Sequence, residues 1–106
     1  MKREELLKEA IKITKGARQT NYGTPEDNFK RIADLWTVYL GRSITPSDVA
    51  VMMILMKTAR LMNDCKHMDS WVDIAGYAAC GGEINEPHNS IKINLDLAPV
   101  ECEELK

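Results

Sequence analysis

The sequence predicts an all-α protein, a four-helix bundle followed by an extended C-terminal arm or single strand. Two short signatures carry much of that expectation. Thr24-Pro25-Glu26-Asp27 and Thr45-Pro46-Ser47-Asp48 each join a capping hydroxyl, a proline suited to the first helical position and an acid that complements the helix macrodipole. The third observation is periodicity: apolar residues recur every three to four positions through four segments and alternate every second position in one. The expected division is a helical domain over residues 1–84 and a tail over residues 85–106.

In the first segment Leu6, Leu7, Ala10, Ile11 and Thr14 recur at helical spacing. Lys2, Arg3, Glu5, Lys8, Glu9 and Lys12 cover the remainder, and Gly16 is a plausible stop. Residues 17–23 read as a loop. Phe29, Ile32, Ala33, Trp36, Tyr39 and Leu40 make the apolar stripe of a second helix, which Gly41 ends. The third helix opens at Thr45 and carries eight consecutive apolar residues, 49–56, so its expected place is the middle of the bundle. The fourth runs over residues 69–80 with Trp71, Ile74, Ala75 and Ala78 on its packing side, Gly76 at a close helix contact and Gly81-Gly82 as its stop.

The last segment has a different period. Ile91, Ile93, Leu95 and Leu97 alternate with Lys92, Asn94 and Asp96, as in a half-buried strand. A lone strand leaves its backbone groups unpaired, so this segment either lies as an extended arm along the bundle or pairs with its copy from another subunit. Together with a Met-rich third helix that three others cover poorly, it implies a homodimer or higher homo-oligomer.

A chain of 106 residues, 44% hydrophobic and 28% charged, with no repeat or low-complexity run, makes one ordinary folded domain. A formal net charge of -2 gives no overall basic field, so direct nucleic-acid binding is not expected. The N-terminus interleaves charges where a signal peptide needs an apolar run, and the longest apolar run is too short to span a bilayer. The expected location is the cytoplasm of a bacterium or phage-infected host, with no membrane partner. Cys65, Cys80 and Cys102, odd in number and widely spaced, suit reduced thiols. The loop carrying Asp64, Cys65, His67 and Asp69 matches no standard ligand spacing. No glycine-rich phosphate loop, GxSxG elbow or oriented Cys/His pair provides a basis for covalent catalysis.

The most informative polar residues are Lys57, Arg60, Asp64, Asp69, Asp73 and Tyr77, ionic and aromatic positions set in apolar helical sequence. Lys57 and Arg60 are spaced i,i+3, and Asp69, Asp73 and Tyr77 successively i,i+4, so each set shares a helix face. A short connection would fold the two helices antiparallel and set the cations opposite the carboxylates. Two readings follow. Asp69 and Asp73 hold Mg²⁺ while Lys57 and Arg60 take phosphate oxygens, or the cations simply neutralise the acids within the bundle. The loop from Arg18 to Gly23 adds a cation and an aromatic ring ahead of a helix N-terminus. Tyr22 is placed to stack on a base or to staple the second helix, Arg18 to reach a phosphate, and Asn28 to read a base edge or complete the cap.

Arg18, Tyr22-Gly23, Pro25, Asn28-Phe29, Trp36, Asp48-Val49-Ala50, Lys57, Arg60-Leu61 and the string from Asp69 to Ala78 resemble a family of small uncharacterised phage and prophage proteins, a domain of unknown function. The resemblance covers residues 16–83. More distantly, a KxxR helix followed by Asp-x-x-Gly-Tyr-Ala is similar to the MazG-like all-α nucleoside triphosphate pyrophosphohydrolases. In those bundles acidic side chains on neighbouring helices bind magnesium around the triphosphate. The resemblance implies a MazG-like fold, a phosphorylated nucleotide as partner and Mg²⁺ as cofactor. Asp69 and Asp73 then take the catalytic and metal positions, and Arg18, Tyr22, Asn28, Lys57, Arg60 and Tyr77 the substrate-binding ones. The motif departs at the metal ligands. The second helix has only Glu26, Asp27 and Asp34 in place of ExxE, and Ser70 stands where the next motif carries Glu. The alternatives that follow are a non-catalytic nucleotide-binding or sequestering module and a host-factor interaction protein.

Overall fold

The computed structural model describes residues 1–16 and 23–85, which form α1 (Arg3–Lys15), α2 (Pro25–Leu40), α3 (Pro46–Asn63) and α4 (Met68–Ile84). The architecture is the all-α bundle that the periodicity predicts. The alternating segment at residues 91–97, together with the rest of the tail beyond Asn85, lies outside the described residues.

Both Thr-Pro signatures start helices for the expected reason. The Thr24 hydroxyl oxygen accepts the Asp27 N–H at 3.2 Å. At Thr45 the arrangement is reciprocal: its oxygen accepts the Asp48 N–H at 3.1 Å while its own N–H donates to the Asp48 carboxylate at 2.9 Å. Gly41 closes α2 in the left-handed region, φ 67°, where a side chain would be strained. The Thr37 hydroxyl then accepts the Ile44 N–H at 2.8 Å and fastens the α2–α3 turn.

The central helix is α4, not α3. It touches α1, α2 and α3, whereas α1 packs on α4 alone among the described elements. Small residues make this crowding feasible. Ser70, Gly76 and Gly81 are buried in α4, a methyl on Gly76 would stand 3.3 Å from the Thr14 side chain of α1, and one on Gly81 would stand 2.9 Å from the Ala50 Cβ of α3. Gly81-Gly82 therefore does not stop the helix. Gly81 lets α3 approach, and α4 continues to Ile84, where Asn85 caps it by donating its side-chain amide to the Gly81 carbonyl at 2.8 Å.

The core joins Phe29, Ala33, Val49, Ala50 and Cys80, with Ile32, Trp36, Met53 and Tyr77 packed against it. Several apolar positions face elsewhere than their sequence suggests. In α1 the packing face is Leu6, Ala10, Ile13 and Thr14, while Leu7 and Ile11 are exposed. Tyr39 points outward from α2, and in α4 Trp71 and Ala78 are exposed while Val72 is buried. In α3 Val49 and Ala50 are fully covered, but Val51, Leu55 and Met56 are exposed, because α2 and α4 cover only part of its circumference.

Candidate functional site

α3 and α4 run antiparallel, as the pairs Lys57–Asp73 and Ser47–Asn85 establish at two points along them. The Lys57 ammonium donates to the Asp73 carboxylate at 3.0 Å, with the two side chains only 13% and 17% exposed. Lys8–Glu4 and Lys30–Asp34 are, by contrast, solvent-exposed i,i+4 pairs along single helices, worth a few tenths of a kcal/mol each. Lys57–Asp73 joins two helices away from bulk water. In that setting each charge depends on its partner.

Beside this pair opens a cleft of about 440 Å³, lined by Glu9 and Ile13 of α1 and by Asp69, Val72 and Asp73 of α4. Its size falls within the range of roughly 300–1,000 Å³ typical of small-molecule sites. Asp69, one turn before Asp73, is exposed on the open side. Glu9 completes an acidic wall that the sequence reading missed. Glu9 is half-buried beside Leu6, Ala10 and Ile13, on the face by which α1 packs.

Of the residues expected to share one pocket, Asp69 and Asp73 line this cleft, and Lys57 is paired to Asp73. Arg60, three residues beyond Lys57, turns away from the α3–α4 seam and lines a separate groove with Met56, Ala59, Asn63, Asp64 and His67. The Tyr77 ring lies 6.2 Å from that of Phe29 and packs against the core. Asn28 is half-buried in the first turn of α2, its N–H donating to the Thr24 carbonyl at 2.9 Å. Arg18 and Tyr22 lie outside the described residues. The helix ends flanking their loop, Lys15 and Thr24, line a groove with Ala79 and Cys80, about three turns along α4 from Asp69.

The α3–α4 connection is built from internal hydrogen bonds. The Asp64 carboxylate accepts the Lys66 N–H at 3.0 Å, the Trp71 indole donates to the Cys65 carbonyl at 2.9 Å, and His67 Nδ1 lies 2.7 Å from the Ser70 hydroxyl. Ser70 is fully buried and faces the interior. Among the described residues no three His, Cys, Asp or Glu side chains are grouped so as to hold a metal ion. No described helix is long and apolar enough to cross a membrane.

Fold and site together define a small helical-bundle protein with a paired charge across its central seam and an acidic cleft beside it. The chain belongs to the family described as Domain of unknown function (DUF6378), whose model matches residues 5–85. Its relatives include the Gene 55 protein of Mycobacterium phage D29, 48% identical over 83 residues, which are 78% of this chain and 55% of that protein. The Gene 55 protein of Mycobacterium phage L5 is 51% identical over 74 residues, 69% of this chain and 47% of that protein. The chain thus spans about half the length of these relatives. No solved structure matches it.

Proposed function

We propose that this phage-family protein binds a phosphorylated nucleotide together with magnesium in the cleft between α1 and α4. The observation that carries the reading is that the exposed Asp69 lines one cleft with Asp73, whose carboxylate is held by Lys57. Magnesium prefers one or two protein carboxylates and takes its remaining ligands from water and substrate phosphates. Asp69 and Asp73 fit one such ion and are the residues that would hold it, Asp73 having a second carboxylate oxygen beyond the one bonded to Lys57. When bound, the ion supplies positive charge that lets an anionic ligand approach an acidic wall. Lys57 fixes the rotamer of Asp73, and Val72 and Ile13 give the cleft its apolar floor.

The distant likeness of the KxxR and DxxGYA pattern to MazG-like enzymes makes pyrophosphate release the reaction to assay. Binding without turnover is the second reading, because the second helix carries only Glu26, Asp27 and Asp34 in place of the ExxE pair of those enzymes. Thermal unfolding with a panel of nucleoside triphosphates, with and without magnesium, tests the proposal. A ligand at 100 times its Kd raises stability by about 2.7 kcal/mol. The expected result is a magnesium-dependent rise in Tm that Asp69→Asn removes, and release of pyrophosphate then separates turnover from sequestering. No shift with any nucleotide would sink the reading.

A further inference from the structure

The outward face of α3 carries a pattern that the nucleotide reading does not use. Met52, Leu55, Ala59 and Met62 follow one another at spacings of three and four, the seam of a helix that packs against another helix along its length. All four are exposed, Leu55 at 61% and Met62 at 85%, and Val51 and Met56 flank them. From this geometry we infer that α3 pairs with α3 of a second copy of this chain across a two-fold axis.

Three features commit the face to a second copy. The positions flanking the seam, Val51, Met56, Thr58 and Asn63, are all uncharged. The charges that border it, Arg60 with Asp64 near one end and Arg42 with Asp48 near the other, are of both signs, so the face carries no single charge that would select an oppositely charged partner. Ala59 sits within a row of longer side chains and gives the close approach that helix pairing needs. The seam and its flanks leave on the order of 600 Å² exposed, close to the roughly 800 Å² per partner of a standard interface. Leu40, which shares a groove with Val51 and Met52, extends the patch toward that value. A contiguous apolar patch of this size stands at the upper end of what monomers expose, where such patches are often functional.

Light scattering after gel filtration of the full chain tests the pairing. The expected mass is twice the 12.0 kDa of one chain. Leu55→Glu, a change at a position exposed in the single chain, should give a folded protein, by circular dichroism, at the single-chain mass. Mixing Leu55→Glu with Leu55→Lys should restore the doubled mass, because only a two-fold pairing sets each residue 55 near the other copy's seam. A wild type at 12.0 kDa at the highest soluble concentration overturns the inference, whatever else covers the stripe. A Leu55→Glu protein that keeps the doubled mass also overturns it, since the contact would then lie on another face.

Discussion

Lys57 and Asp73 hold each other across the α3–α4 seam, and the chemistry of a mostly buried pair makes their removal asymmetric. Asp73→Asn leaves an ammonium without its counterion and should cost on the order of 3 kcal/mol, read as a lowered denaturant midpoint. The double change Lys57→Met with Asp73→Leu removes both charges and should recover most of that loss. If the single and double variants are equally destabilised, the pair is not what the single change disrupts. Asp69, exposed and one turn away, should behave differently: Asp69→Asn is expected to leave stability within about 0.5 kcal/mol while weakening magnesium-dependent nucleotide binding. These two aspartates share a helix face and a cleft, yet only Asp73 is also tied to the fold through Lys57.

At the scale of the element, the two adjacent glycines of α4 make opposite predictions. Gly82 has nothing within 4 Å of where a Cβ would sit, so Gly82→Ala should stabilise the helix by about 0.5–1 kcal/mol through reduced freedom of the unfolded chain. Gly81→Ala would press its methyl to 2.9 Å of the Ala50 Cβ, which is attached to backbone and has no rotamer to change. The overpacking should cost about 1–3 kcal/mol in thermal or denaturant unfolding. A stabilised Gly81→Ala protein would mean that α3 and α4 are not so closely packed. The start of α3 is a second case. Thr45→Ala removes the oxygen that accepts the Asp48 N–H and should cost about 1 kcal/mol.

For the molecule as a whole, the packing order sets the order of opening. α1 rests on α4 alone among the described elements, with Ala10 its one buried residue. α3 and α4, in contrast, share the Lys57–Asp73 pair, the Ala50–Gly81 approach and the Ser47–Asn85 hydrogen bond. Native-state hydrogen exchange should therefore show α1 amides opening at lower free energy than those of α3 and α4. Equal protection of all four helices would mean that they unfold as a single cooperative unit.

Local chemistry decided what was legible in the sequence. Capping residues, prolines at the first helical turn and the left-handed Gly41 act within a few positions of themselves, so the starts of α2 and α3 and the end of α2 followed from composition alone. The all-α class followed from periodicity, and the family from the residues between Arg18 and Ala78. The facing of i,i+4 positions likewise placed Asp69 and Asp73 together. What depended on which helix lies beside which was decided by tertiary structure. A run of eight apolar residues reads as a buried centre, but α4 takes the centre because Ser70, Gly76 and Gly81 admit neighbours where the longer side chains of α3 do not. The double glycine reads as a stop by its conformational freedom and serves instead through its lack of a side chain. Arg60 and Lys57 look equivalent at i,i+3, and only the position of α4 buries one and leaves the other at the surface. Glu9 joins the cleft for the same reason: α1 reaches the wall formed by Asp69 and Asp73 only in the folded chain, and no spacing along the sequence links residues so far apart.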